Sequence, residues 1–140
     1  MMSCAKGLPL TRAALKESQL RWAANGLPSY RLELEVAGDK IETGAFVIEV
    51  RNNRIDFATR NDQELQEPDH FYTVDGLFKF LSNELELGQE PGRYFGASPN
   101  SRIYMNVHFH KTLGYPIRYL RAVTETKQNI TVTVTKLTKL

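Results

Sequence analysis

The sequence predicts an α+β domain, an antiparallel sheet of about six strands with two helices on one face, in the order α-β-β-β-α-β-β-β. Three observations carry that prediction. Apolar and polar residues alternate with period two in several short segments, most clearly at Tyr30, Leu32, Leu34 and Val36 against Arg31, Glu33 and Glu35. Helical signals are confined to two segments, one ahead of each group of strands. Asn52-Asn53 joins two of the alternating segments as a two-residue turn, since asparagine tolerates the positive φ of a type I′ hairpin.

The first helix spans 12–24. Thr11 can cap it, the segment has no Pro or Gly, and Asn25-Gly26 followed by Pro28 stops it. Leu15 and Trp22 lie on one stripe with Ala14 and Ser18 beside them, so Trp22 fills the space between helix and sheet. Strand one follows from Tyr30 to Val36, and strand two covers 45–51 with Phe46, Ile48 and Val50 inward. Counting outward from the Asn52-Asn53 turn pairs Arg51 with Arg54, Val50 with Ile55, Glu49 with Asp56 and Ile48 with Phe57. The polar stretch 61–69 has no periodicity and reads as loop.

Thr73 caps the second helix, with Asp75 in its first turn. Val74, Leu77, Phe78, Leu81 and Leu85 form its apolar stripe, and Gly88 is the expected C′ residue. Segment 89–101 is a long Gly/Pro loop. Beyond it Ile103, Met105, Val107 and Phe109 alternate with Tyr104, Asn106, His108 and His110. A turn over 111–114 leads to a strand at 117–124, and Thr126-Lys127-Gln128 leads to Ile130, Val132 and Val134 among threonines. The order of elements hints at a tandem α-β-β-β unit.

Composition narrows the function classes. A chain of 140 residues with 41% apolar and 24% charged residues forms one domain with a core of its own. Residues 1–10 read as a flexible tail and 11–140 as the domain. A net charge of +2, with no cluster of Lys or Arg, gives no footprint for nucleic acid. Cys4 is the single cysteine, so no intramolecular disulfide forms. No apolar run reaches the ~20 residues of a transmembrane segment. The start of the sequence has no signal peptide, although Ser3-Cys4-Ala5 has the form of a lipoprotein cleavage-site remnant.

His108 and His110 are the sharpest chemical pair. Two apart on a strand, their imidazoles point to one face, as in several metal sites. A metal would need a third ligand, for which His70 or Asp69 would have to fold back. Tyr104 shares their face, Arg93 can form the lip of a groove in the 89–101 loop, and Tyr115 is presented by a Gly114-Tyr115-Pro116 turn. No nucleophile motif accompanies the histidines, so no catalytic residue is assigned, and no cofactor signature is present. The Glu90 to Gly96 run lacks the spacing of a phosphate cradle.

Trp22, Ser29-Tyr30-Arg31, Thr73-Val74-Asp75-Gly76-Leu77-Phe78 and Gly114-Tyr115-Pro116, in that order, resemble a family of uncharacterised small bacterial domains. The resemblance covers nearly the whole chain from about Leu15 and implies the fold above in an exported or lipoprotein, cell-envelope setting. Val36-Ala37-Gly38 stands where the family often has a cysteine pair. His110 and Ala122 stand where it commonly has acidic residues. The resemblance implies no activity. The expected function is a non-enzymatic binding or interaction domain that presents the open sheet face or the 89–101 loop to a protein or small ligand. The alternatives are a metal-dependent or small-molecule enzyme using His108 and His110, and an envelope lipoprotein anchored through Cys4.

Overall fold

The inward-facing residues of the strands supply most of the core, and the strands that carry them form one antiparallel sheet. In the computed structural model, which describes residues 7–39, 41–67 and 72–140, the strands are β1 (Leu8–Pro9), β2 (Tyr30–Gly38), β3 (Gly44–Arg51), β4 (Arg54–Arg60), β5 (Gln63–Glu64), β6 (Ile103–Phe109), β7 (Pro116–Val123) and β8 (Ile130–Lys139). The helices are α1 (Arg12–Asn25), α2 (Val74–Leu87) and the short α3 (Pro91–Phe95). The sheet has eight strands in the order β1-β6-β7-β8-β2-β3-β4-β5. Its two meanders, β2-β3-β4 and β6-β7-β8, lie side by side and join at β2 and β8.

Six strands and two helices are therefore too few. The additional strands are two residues each, below the length at which alternation is visible. β1 also corrects the boundary of the tail. Leu8 and Pro9 pair with Val107 and Asn106, and the Leu10 N–H donates to Met105 O at 2.8 Å, which seats Leu10 in the core. β5 follows a second two-residue turn, Asn61-Asp62, with φ of 50° and 67°. Cys4, Asp69 and His70 lie outside the described residues.

The helices form as their caps predict. Thr11 and Thr73 accept the N–H of Ala14 and Gly76 through their hydroxyls. Leu15, Ser18 and Trp22 of α1 and Val74, Leu77, Phe78 and Leu81 of α2 are buried on the sheet. Leu32 and Ile48 beneath them are 0% exposed, and each such side chain contributes about 1.5–3 kcal/mol of burial. Gly88 directly follows the last residue of α2, as expected, in right-handed backbone. Its φ is −67°, and a Cβ there would lie 2.7 Å from Met105 Cε, so its smallness admits Met105.

The Asn52-Asn53 turn has the positive φ values it needs, 51° and 64°. Arg51 faces Arg54 and Val50 faces Ile55 as expected, but Asp56 is then an extra residue on β4. This bulge pairs Glu49 with Phe57 and Ile48 with Ala58. Ala58 is therefore in the core, and Phe57 is 38% exposed. A period-two count assumes one residue per pleat on both strands and fails at the insertion.

Candidate functional site

The helices pack on one face of the sheet, and among the described residues the other face is open. Along β6, β7 and β8 the open face carries Tyr104, Asn106 and His108 of β6, Arg118, Leu120 and Ala122 of β7, and Thr131 and Thr133 of β8; none is buried. Cross-strand pairing sets Tyr104 beside Ala122, Asn106 beside Leu120 and His108 beside Arg118. Gly7, Asn106, His108, Arg118 and Leu120 line a shallow depression of about 280 Å³.

On the other half five charged side chains pair with one another. Arg31 lies 3.0 Å from Glu49 and 3.6 Å from Glu33, and Arg51 lies 3.7 Å from Glu49 and 3.5 Å from Asp56. Such exposed pairs contribute little stability but leave few free charges.

His108 and His110 do not form one site. Ile117 is an extra residue on β7 where His108 pairs with Arg118 and Phe109 with Pro116, and β6 ends at Phe109. His110 therefore belongs to the turn. Its ring stacks on Tyr115 at 4.8 Å, and its Nδ1 accepts the N–H groups of Thr112 and Leu113. Tyr115 packs edge-on against Trp22, which packs edge-on against Tyr30 at 5.4 Å. Burial pushes the Tyr115 phenol above its ordinary pKa. Both residues fasten the turn to α1. Among the described residues no three His, Cys, Asp or Glu side chains come together as metal ligands. Arg93 sits on α3, 5.2 Å from the Tyr94 ring and 3.9 Å from Glu90. Because Phe95 of α3 lies against the inward-facing Arg121, α3 belongs to the helical layer and Arg93 is apart from the open face.

A buried polar cluster joins α2 to β7. Glu84 of α2 is 2% exposed and Arg121 of β7 is 7% exposed. Arg121 Nη1 donates to both Glu84 oxygens, at 2.8 and 2.6 Å, and Tyr119 Oη donates to Oε1 at 2.8 Å. Arg121 Nε donates to Gln128 O, and its guanidinium lies 4.3 Å from the Phe95 ring centroid. Burial, with the Glu84 carboxylate beside it, holds the Tyr119 phenol protonated. The signal was present: Glu84 falls on the apolar stripe of α2, and Arg121 has the same parity as Tyr119 and Val123. The cluster's donors and acceptors satisfy one another, so it ties α2 to β7 and offers nothing to a substrate.

A second concavity, of about 530 Å³, lies beside the first turns of α2, lined by Tyr30, Ile55, Thr73, Asp75, Lys79 and Asn83 among others. Tyr30 Oη accepts the Val74 N–H at 3.0 Å. Burial pushes the Tyr30 phenol up to about 12, the Val74 hydrogen bond opposing and the Asp75 carboxylate adding to the shift. A phenol held protonated in this way is a poor general base. The groove is a concavity lined by polar and apolar side chains together.

No helix among the described residues is long and apolar enough to cross a membrane. No protein-family model matches the chain, and no curated protein or solved structure matches it.

Proposed function

We propose that this chain is a non-enzymatic interaction domain that receives a protein partner on the β6–β8 half of its open sheet face. The observation that carries the reading is the contrast within that face. On the β2–β4 half Arg31, Glu33, Glu49, Arg51 and Asp56 pair with one another, whereas on the β6–β8 half, beside Tyr104, Leu120 and Ala122, the side chains of His108 and Arg118 have no ion pair among the described residues. Tyrosine and arginine beside apolar surface are the residue types on which binding energy concentrates. The resemblance to exported and lipoprotein domains supports a cell-envelope setting for the encounter.

A photo-crosslinking side chain placed at Thr131, and in a control at Lys16 on the outer side of α1, tests the reading in cells that make the protein. Discrete adducts from Thr131 and none from Lys16 are expected. Adducts from Lys16 alone, or from neither position, would overturn it.

A further inference from the structure

Strands β6, β7 and β8 contain no aspartate or glutamate, yet they carry Arg118, Lys136 and Lys139 as well as the buried Arg121. Each long strand of the other meander, β2, β3 and β4, mixes both signs. Among the described residues the side chains of Arg118 and His108 have no ion-pair or hydrogen-bond partner. They stand directly opposite each other on neighbouring strands, with Asn106 and Leu120 the next opposed pair on the same face. Residues so opposed have Cβ atoms about 4.5–5.5 Å apart, within reach of one shared ligand atom.

We propose that the depression between them is a carboxylate-accepting subsite, and that its occupant is an Asp or Glu side chain in an acidic, hydrophobic segment of a partner protein. The proposal rests on the reading of this face as an interaction surface. Arg118 supplies the planar fork that matches a carboxylate. The imidazole of His108 and the amide of Asn106 supply further N–H donors. Leu120, Ala122 and Tyr104 lie alongside and receive apolar neighbours of the acidic residue. A nucleic acid fits less well, because its phosphate run needs a line of cations. Here Thr133 and Thr131 of β8 stand beside Arg118 and Leu120, and Lys136 farther along that strand faces Glu33 of β2.

Titration of the full 15N-labelled chain with a short blocked peptide of alternating Asp/Glu and Leu tests the proposal. The expected result is saturable shifts at His108, Arg118 and Leu120, weakened about tenfold by Arg118→Gln, the loss of one charge-assisted contact. Arg118→Lys should weaken binding less, and the Asn/Gln version of the peptide should give no shifts. Arg118 is exposed, so an unchanged melting temperature shows that the variants fold. Shifts centred elsewhere, shifts indifferent to Arg118→Gln, or tighter binding of a single-stranded oligonucleotide than of the peptide would each overturn it. Adducts from Thr131 without any response to the acidic peptide would sink this subsite and leave the interaction face standing.

Discussion

Gly114 sits where no other residue fits. Its φ is +87°, and a Cβ would lie 2.5 Å from Ser18 O and 3.0 Å from Trp22 N, so the turn can close on α1 only with a hydrogen at that position. Gly114→Ala should cost more than ~1 kcal/mol in a urea unfolding experiment, since strain and clash add. Trp22, the single tryptophan, reports the transition directly. Tyr30 gives a second residue-scale expectation. Its proton is held more tightly in the folded chain than in the unfolded one, with a pKa raised from 10.0 to about 12. The stability that this shift contributes is complete below the unfolded value of 10.0 and is lost as pH rises through about 12. The urea midpoint should therefore fall across that alkaline interval. Tyr30→Phe should flatten the fall while lowering the midpoint at neutral pH, because the Val74 N–H loses its acceptor. An alkaline slope unchanged in Tyr30→Phe would contradict this assignment.

At the scale of elements, caps and alternation located α1, α2 and the six longer strands from sequence, because each obeys a period that its own residues display. What escaped were insertions and two-residue pairings. Asp56 on β4, Thr135 on β8 and Ile117 on β7 each add a residue to one strand of a ladder, and nothing in a single strand's sequence reveals which partner lacks a counterpart. The candidate site was legible only in part for the same reason. His108 and Tyr104 were placed on the open face correctly, while the end of β6 and the neighbouring bulge took His110 into the turn. Arg118 becomes a candidate only once β6 and β7 are paired. The bulge at Asp56 makes a prediction of its own. Deleting Asp56 preserves the pairs Val50 with Ile55 and Ile48 with Ala58 and removes one exposed ion pair. It should shift stability by less than ~1 kcal/mol. Deleting Ala58 instead moves Thr59 into its inward place and should cost several times more. Thermal melts of the two deletions decide the point, and equal losses would reject the bulge.

Across the whole molecule, the Glu84 carboxylate binds the second helix to the second meander through Tyr119 and Arg121. Removing one partner strands a buried charge, so Glu84→Leu should destabilise by roughly 3–5 kcal/mol. Combining it with Arg121→Met removes the stranded cation and should recover much of that loss, because a buried ion pair is worth little more than a well-packed apolar pair. Differential scanning calorimetry of the two variants measures the difference. If the double variant melts no higher than Glu84→Leu alone, the cluster is stabilising in a way that pairwise charge balance does not describe.

The two short strands at the margins of the sheet have a further consequence. β1 and β5 lie at opposite ends of the strand order, so both outer ladders of the long strands are partly occupied by two-residue segments, one of which ends in a proline with no N–H to offer. They act as guards against edge-to-edge polymerisation. A chain shortened to begin at Thr11 would leave β6 as a bare template, and it should sediment as concentration-dependent aggregates at protein levels where the full chain remains dispersed.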